Sequence, residues 1–512
     1  MRPMLRSLIS AALFALVPAA PLQSHVDRIV HARAFAGASF GIAVYDLDRR
    51  RMTYAKDADK FFLAASTTKL LTEGASLAFL GPNYRFHTTI YRNGYVDADG
   101  TLHGDAILRA SGDPNLSGRL QSDGTLAFEN EDHSYDGSAA TKAVPGDPLA
   151  VLNEFAQQIY ARGIRRIDGR VVVDDSLYNA NFAEPGTGAI VSPIVVNDNI
   201  IDVVVRPGAK SGDAASFSVS PRTSYASFVN AATTCAPGAA TGITLQDGDP
   251  DRSGAETVTI GGCIARTAQP TLYAYDVPSP RRFAEMALTD ALARVGVEVG
   301  HAGTLDRPAY ASLAASYSQA NAIAEHVSAP LAEDVKVTLK VSDNLHADAM
   351  PYLWAHGDSG AALRMEQRWL AQHGVNTSGF VQNDGLGGDA YIEPQTMVEY
   401  LAFLRTQPFF GEIRRALPVL GRDGTLFDIQ LHSPAVGHVY AKTGTWSASD
   451  ALNGRKLVTA KGLAGYMTTR TGRHLAFCFY VNNVVSPART DGAHLAGEAL
   501  GAIASAIYED TP

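Results

Sequence analysis

The sequence predicts a mixed α/β fold in which the two terminal parts of the chain share one sheet, interrupted by inserts of which one is β-rich. Three observations lead to this fold class. Strand patterns lie near both ends of the chain with helical patterns between them, and a Gly/Ala/Thr-rich stretch with β-branched runs interrupts the middle. A chain of 512 residues is also too long for one ordinary core, which favours two or three domains.

The first part of the chain has a strand followed by a helix. Residues 40–47 have a strand pattern, and residues 66–80 have a helical pattern that Gly81-Pro82 ends. Short strands then alternate with Gly and Asp turns over residues 87–108. The polar, Gly/Ser/Asp-rich residues 116–146 predict a long loop.

Two helices in the middle of the chain have clear start signals. We expect Asp147 at the N-cap and Pro148 at the first position of one, and Ser279 and Pro280 in the same roles in the other. Each is followed by a strand-like run. Between them, residues 185–271 predict the β-rich insert.

The last third returns to mixed α/β patterns. A helix is expected around Val341, strands at 438–442, 462–470 and 474–483, and a closing helix at 492–508. Because strands occur at both ends, we expect the two terminal parts to share one sheet. The predicted units are a signal segment at 1–23, a discontinuous α/β domain at 24–88 and 320–512, an inserted α/β domain at 89–184 and 272–319, and a nested β-rich insert at 185–271.

The first 23 residues have the features of an export signal. Arg2 and Arg6 supply positive charge, and the apolar run at 8–17 is shorter than the about 20 residues that span a bilayer. No later segment is long and apolar enough for a transmembrane helix. We therefore expect a periplasmic or secreted protein without a stable membrane anchor, where nucleotide cofactors are scarce and hydrolytic chemistry is favoured.

Charge and cysteine content narrow the function classes. The formal net charge of −9 and the pI near 5.9 argue against a nucleic-acid or anionic-membrane binder, since both need a basic face. Cys235, Cys263 and Cys478 are too few for a disulfide scaffold. A bridge between Cys235 and Cys263 and three buried free thiols both remain open.

Ser66 and Lys69 form a Ser-x-x-Lys pair at the predicted start of a helix. At this spacing the two side chains lie on one helix face. The helix N-terminus favours a developing alkoxide, and a partly buried lysine with a lowered pKa can take the serine proton. Alone the pair is a weak signal, because roughly one chance occurrence is expected in a chain of this length.

Two further motifs follow in order: Ser342-Asp343-Asn344 in a helix or its turn, and Lys442-Thr443-Gly444-Thr445 at a strand end. Together with Ser66 and Lys69 they resemble the signature set of penicillin-binding proteins and class A β-lactamases. The ordered set in suitable contexts is far more specific than any of its members.

The resemblance implies a role for each residue. Ser342 would relay a proton towards the leaving amine, and Asn344 would bind the substrate amide. Lys442 would place positive charge beside the substrate carboxylate. The N–H groups of Ser66 and Thr445 would form the oxyanion hole. The substrate-binding site would be lined by Thr443, Gly444 and Thr445, and Gly444 would let the strand come close to the substrate.

Three other patterns are interpreted as structural. Residues 37–41 fit a nucleophile-elbow pattern, but a strand rather than a helix follows. Lys210-Ser211-Gly212 lies in a Gly/Ala-rich loop and predicts a solvated turn. His346 and Asp348 lack a third ligand or companion serine, so helix-surface roles are expected. We expect neither a metal nor a cofactor.

The whole pattern is similar to the three-domain, low-molecular-mass (class C) penicillin-binding proteins, which act as D-Ala-D-Ala carboxypeptidases and endopeptidases. Lys69 and Ser342 are 273 residues apart, and this family inserts two domains there. Residues 80–86, 112–114 and 163–175 also resemble it. The likeness implies a penicillin-binding/serine β-lactamase-like transpeptidase domain, with an antiparallel sheet flanked by helices and two inserted domains, one of them β-rich. It also implies peptidoglycan stem peptides as substrates and β-lactam antibiotics that acylate Ser66.

The sequence also departs from this family. Asp384-Gly385-Leu386-Gly387 replaces its usual Asp-Gly-Ser-Gly loop, and Asp348 stands where a glutamate is more usual. Two alternatives remain: a β-lactamase or esterase on the same scaffold, and a non-catalytic wall-binding protein. Turnover of a cephalosporin would favour the first, and failure to bind penicillin or release D-alanine would favour the second.

Overall fold

The computed structural model describes residues 20–510 except 302, 304, 305, 308 and 489. Residues 1–19 of the predicted export signal therefore lie outside the described residues. Among the described residues, no helix is both long and apolar enough to cross a membrane.

The α-helices of the described chain lie mostly in its second half. They are α1 Ala20–Val30, α2 Lys69–Phe79, α3 Ala150–Ala161, α4 Pro280–Arg294, α5 Tyr310–Leu313, α6 Leu331–Val341, α7 Asn344–Trp354, α8 Ser359–Gln372, α9 Pro394–Leu404, α10 Phe410–Ala416 and α11 Gly492–Asp510.

The strands fall into three stretches of sequence. The first stretch holds β1 Ser39–Asp46, β2 Arg51–Lys56, β3 Phe62–Leu63, β4 His87–Val96, β5 Thr101–Arg109, β6 Arg166–Ile167, β7 Val171–Asp174, β8 Phe182–Ala183 and β9 Ile190–Val191. The second holds β10 Ile200–Arg206, β11 Ser216–Ser220, β12 Ala226–Asn230, β13 Thr233–Cys235, β14 Gly242–Asp247, β15 Glu256–Ala265 and β16 Thr271–Asp276. The third holds β17 Glu298–Val299, β18 Ala322–Val327, β19 Phe380–Val381, β20 Tyr391–Ile392, β21 Val439–Asp450, β22 Arg455–Thr468, β23 His474–Asn482 and β24 Val484–Pro487.

The central sheet joins the two ends of the chain, as predicted. Its antiparallel strand order is β2-β1-β23-β22-β21, with β24 also paired to β22. Val44 lies opposite Phe477, and Ala43 lies opposite Cys478. Because side chains alternate along a strand, Val44 and Phe477 join the core beneath α1 and α11, and Ala43 and Cys478 join the core beneath α2 and α9. The predicted sheet flanked by helices is confirmed.

A second sheet has the strand order β17-β6-β5-β4-β18, with β7 paired to β5. The apolar faces of α3 and α4 pack together beside it, and both helices join its core. The start of α4 is confirmed, with Ser279 at the N-cap and Pro280 first. The predicted start of α3 is wrong, because the helix begins at Ala150. The Asp147 carboxylate accepts the Leu149 N–H at 3.0 Å and closes a turn before the helix.

The β-rich stretch forms two small sheets, β11-β10-β16 and β12-β15-β13 with β14 paired to β15. A disulfide between Cys235 and Cys263 joins β13 to β15 across a Cα–Cα distance of 5.6 Å, which resolves the alternatives left open by the sequence. Cys478 is a buried free thiol. The predicted domain boundaries stay a prediction.

The two rejected motifs lie where the sequence placed them. β1 begins at Ser39, so residues 37–41 lead into a strand and form no nucleophile elbow. Residues 210–212 form an exposed turn. Neither motif contributes to the cleft described below.

Candidate active site

Ser66 lies in a single 3₁₀ turn, Ala65–Thr68, which leads directly into α2. Ala65 has a φ of 45°, a left-handed conformation that is costly for alanine. The turn is fixed from both sides, since Thr67 Oγ1 donates to Ala64 O at 2.8 Å and lies 2.9 Å from the Tyr480 hydroxyl. A rigid turn therefore presents the Ser66 hydroxyl.

The Lys69 ammonium brings the first two motifs together. Its Nζ lies 2.9 Å from Ser66 Oγ, 2.7 Å from Ser342 O and 2.5 Å from Asn344 Oδ1. Lys69 itself is fully buried. One side chain thus connects the start of α2 to the turn between α6 and α7, across the 273 residues that separate the motifs in sequence.

The third motif completes the group. Lys442 Nζ donates to Ser342 Oγ at 2.8 Å and to Thr443 O at 2.8 Å. Lys69 Nζ lies 3.4 Å from the same Ser342 hydroxyl. Ser342 has a φ of 70°, which ends α6 and turns its hydroxyl between the two lysines. The five residues expected to be catalytic therefore lie in one contact group.

Burial sets the protonation of the two lysines. It lowers the pKa of Lys69 to about 8, although the carboxylates of Asp343 and Glu184 act in the opposite direction. Burial and the neighbouring charge of Lys69 hold the pKa of Lys442 well below its usual range. A neutral amine beside Ser66 is therefore accessible near neutral pH, as a general base requires.

Strand β21 lies directly against the Ser66 turn at Gly444. A Cβ on Gly444 would lie 2.5 Å from Ala64 O and 3.3 Å from Ser66 N, so only glycine fits without movement. Thr443 Oγ1 donates to Thr425 Oγ1 at 2.7 Å, and Thr445 Oγ1 accepts from a further lysine, Lys461, at 2.8 Å. The strand thus brings its backbone next to Ser66, and this close approach at Gly444 was expected from the sequence.

These residues open into a cleft of about 900 Å³. One wall carries Ser66, Ser342, Asn344, Thr443 and Thr445. The cleft also contains charged groups of both signs, which suits a substrate with polar ends. Its other lining residues include Glu131, Tyr135, Asp136, Pro185, Gly186, Asp428, Trp446, Lys461 and Asp491.

Tyr135 was not among the residues expected at the site, and it lies in the predicted loop 116–146. Part of that loop is a short, largely buried 3₁₀ helix, His133–Tyr135. The Tyr135 hydroxyl donates to Ser342 O at 2.7 Å and lies 3.4 Å from Asn344 Oδ1. An aromatic residue in a polar run was the only available signal, and it does not identify a site.

The expected surface roles of His346 and Asp348 are wrong, because both are buried. Helix α7 packs against α2, α6, α8 and β9, which leaves these positions without a solvent face. His346 lies between two carboxylates, and Asp348 accepts the Gly385 N–H at 3.1 Å. Burial raises the pKa of Asp348 to about 6.

Among the described residues, Asp198, Asp343 and His346 are the group whose spacing could suit a metal ion. The donor set does not fit one. Asp198 already accepts from Arg119 at 2.6 Å and from His133 at 2.9 Å, so two cationic side chains occupy the place of a metal. The group is an ion-pair network.

Comparisons with known proteins find similar sequences and similar folds. Residues 22–499 match the model of the family described as D-Ala-D-Ala carboxypeptidase 3 (S13). The D-alanyl-D-alanine carboxypeptidase of Actinomadura sp. (strain R39) is 28% identical over 462 residues, which is 85% of this chain and 78% of the relative. The D-alanyl-D-alanine carboxypeptidase DacB of Haemophilus influenzae is 22% identical over 470 residues, 87% of this chain and 86% of the relative.

A similar fold occurs in the crystal structure of penicillin binding protein 4 (dacB) from Haemophilus influenzae. The TM-score is 0.71 at 19% identity, over 95% of this chain and 99% of that protein. The same protein complexed with a β-lactam gives a TM-score of 0.70. The predicted resemblance to penicillin-binding proteins is confirmed, and so is the predicted fold.

Proposed function

Because the chain belongs to the D-Ala-D-Ala carboxypeptidase 3 (S13) family, we propose that Ser66 is the nucleophile with which it cleaves D-alanyl bonds of peptidoglycan stem peptides. The chain is a serine carboxypeptidase or endopeptidase of the penicillin-binding type. One observation carries the assignment of Ser66: its Oγ lies 2.9 Å from a buried lysine whose other partners are Ser342 and Asn344.

Acylation begins with proton transfer from Ser66 to Lys69. With a pKa of about 8, roughly a tenth of Lys69 is neutral at pH 7. The neutral amine takes the hydroxyl proton as Ser66 Oγ attacks the carbonyl carbon of the penultimate D-alanine. The Ser66 and Thr445 N–H groups stabilise the oxyanion, since Gly444 allows β21 to approach the Ser66 turn.

Collapse of the tetrahedral intermediate needs a proton on the leaving amine. Ser342 suits this step because its hydroxyl lies 2.8 Å from Lys442 Nζ and 3.4 Å from Lys69 Nζ. The proton that Lys69 received passes through Ser342 to the amine as the C–N bond breaks. Lys442 and Thr443 bind the carboxylate of the leaving D-alanine. The negative charge of that carboxylate favours the ammonium form of Lys442, which takes its proton from solvent. Water then hydrolyses the ester on Ser66.

The same geometry supports β-lactam antibiotics as covalent inhibitors. Their strained amide carbonyl takes the place of the substrate carbonyl, and attack by Ser66 opens the ring to give an ester that stays in the site. Stem peptides lie outside the cytoplasm, so the proposal places the enzyme in the periplasm. The export features of residues 1–23 support that location.

The proposal is tested by labelling purified protein with a fluorescent penicillin and by measuring D-alanine release from a pentapeptide ending in D-Ala-D-Ala. Ser66→Ala is expected to abolish both activities while the melting temperature is kept. Ser76→Ala is the matched control, because Ser76 lies buried in α2 and donates only to Thr72 O. Labelling that survives in Ser66→Ala would identify another nucleophile.

Two further results would favour the alternative functions. Steady hydrolysis of a chromogenic cephalosporin, well beyond one equivalent, would favour a β-lactamase. Absence of both labelling and D-alanine release from the wild-type protein would favour a non-catalytic wall-binding protein. Comparing the pentapeptide with a cross-linked dimer separates carboxypeptidase from endopeptidase activity.

A further inference from the structure

A buried cluster of charged side chains lies behind the Ser342–Asn344 turn. It joins residues 119–202, which lie between Lys69 and Ser342 in sequence, to residues of α6, α7 and the turn between these helices. We name it the Asp198 cluster. Its members are Arg119, Asp132, His133, Asp198, Asp202, Asp334, Asp343 and His346, all buried.

Asp198 is the centre of this cluster. Its Oδ2 accepts from Arg119 Nη2 at 2.6 Å and from His133 Nε2 at 2.9 Å, and its Oδ1 lies 3.2 Å from His346 Nε2. Asn197, Asp198 and Asn199 have φ values of 51°, 55° and 55°. Three successive left-handed residues are costly, and here they turn one carboxylate into a buried site with three donors.

The geometry also fixes the charges of the cluster. His133 has Asp202 at Nδ1 and Asp198 at Nε2, so both ring nitrogens must donate and the ring is an imidazolium. Burial alone would lower the pKa of His133, but the two carboxylates raise it to about 10. His346 lies between Asp334 and Asp198 in the same way, and the neighbouring carboxylates raise its pKa well above the usual range.

Two contacts connect the cluster to the reacting groups. Asp343, which separates Ser342 from Asn344, accepts the His346 backbone N–H at 3.0 Å. Its other oxygen accepts from Ser134 Oγ at 3.2 Å. Ser134 lies beside His133 in the short 3₁₀ helix, and His346 lies two residues after Asn344 in α7. The turn that carries Ser342 and Asn344 is therefore held on both sides.

We propose that Asp198 and Ser134 are positioning residues for acylation, which hold Ser342 and Asn344 against Lys69 through His346 and Asp343. Neither residue lines the cleft. The proposal rests on the proposed function, and it gives the segment between the first two motifs a part in the chemistry. Removing either contact leaves the reacting groups present but loosens the 2.5 Å and 2.7 Å contacts of Lys69 to the turn.

The test compares Asp198→Asn and Ser134→Ala with Asp202→Asn in the full-length protein. An amide at 198 removes the negative charge and turns an N–H₂ group towards at least one of the three existing donors, so we expect acylation by saturating fluorescent penicillin to slow about 10²-fold. Ser134→Ala removes one hydrogen bond and should slow it roughly 3- to 10-fold. Asp202→Asn is the matched control. It weakens a contact to His133 but leaves those of Asp198 to Arg119 and His346, so its rate should stay within about threefold.

If Asp198 had a purely structural role, Asp198→Asn and Asp202→Asn would both have lower melting temperatures but would acylate at similar rates. A positioning role predicts a loss in kcat for D-alanine release, with KM changed less than about threefold. Folded Asp198→Asn that acylates at the wild-type rate overturns the proposal. If that variant does not fold, a wild-type rate in Ser134→Ala overturns it instead. Failure of the wild-type protein to label at all refutes the proposed function, which is a separate outcome.

Discussion

Replacing Gly186 by alanine should disable the active site while leaving the fold intact. Gly186 lines the cleft, and an added Cβ would lie 2.0 Å from Asn344 Nδ2. Ordinary contact begins near 3.4 Å, so the Asn344 amide must move by roughly 1.4 Å. The φ of Gly186 lies outside the left-handed region, so alanine brings no backbone strain of that kind.

The size of the effect follows from the contact that is lost. Asn344 Oδ1 lies 2.5 Å from Lys69 Nζ, and a displacement of this size breaks the hydrogen bond. Misplacing a positioned group by about 1 Å lowers the rate about 10²-fold, and losing a buried hydrogen bond to a charged group has an effect of similar size. We therefore expect the acylation rate constant of Gly186→Ala to fall about 10²-fold.

The assay is the time course of labelling by a fluorescent penicillin at saturating concentration, with the melting temperature measured on the same samples. Gly242→Ala is the control, because a Cβ at Gly242 meets nothing within 4 Å and its φ is also ordinary. Both variants should remain folded. Acylation of Gly186→Ala within about threefold of the control would refute the reasoning, since Asn344 would then tolerate displacement from Lys69.

Further predictions concern the base, the buried cluster and the disulfide. Lys69→Ala should slow acylation by about 10²–10⁴-fold, and the wild-type rate should rise with pH and level off above about 8, because only the neutral amine takes the Ser66 proton. The raised pKa of His133 stabilises the fold fully below about pH 6.5, and this contribution is lost as the pH rises towards 10. The melting temperature of the wild-type protein should therefore decrease as the pH rises over that range, and the decrease should be smaller in His133→Gln. Cys263→Ser removes the disulfide, which joins two residues 28 apart in sequence. It should lower the free energy of unfolding, measured by urea titration, by about 3–4 kcal/mol and leave penicillin acylation unchanged.

Much of the fold and of the nucleophile region could be predicted because the signals are local. A strand pattern at both ends of the chain led to the shared sheet, and the start of α4 followed from Ser279 and Pro280. The three motifs were found because each is short, and their order made them specific. The placing of Ser66 beside Lys69 also required only the geometry of one helix turn.

The remaining features depend on contacts that have no local signal. Tyr135 and Asp198 lie far in sequence from Ser342, and nothing in their neighbouring residues indicates which elements they contact. His346 was misplaced because its helix was expected to have a solvent face, whereas α7 is covered on several sides. The error in the predicted start of α3 is smaller. There the Asp147 carboxylate closes a turn before the helix begins, instead of capping the helix.

The pairing of β1 with β23 has a consequence for the order in which the chain folds. Ser39 of β1 lies opposite Asn482 of β23, and Leu63 N of β3 donates to Asn482 Oδ1 across 419 residues of chain. By contrast, β4 and β18 bring His87 and Val327 side by side. Contacts so distant in sequence form slowly, and they need nearly the entire polypeptide. The sheets formed wholly within residues 87–327 can be completed first. The sheet that carries Lys442 beside Ser66 can close only when the last strands have been made, so a growing chain lacks the assembled Ser66 site.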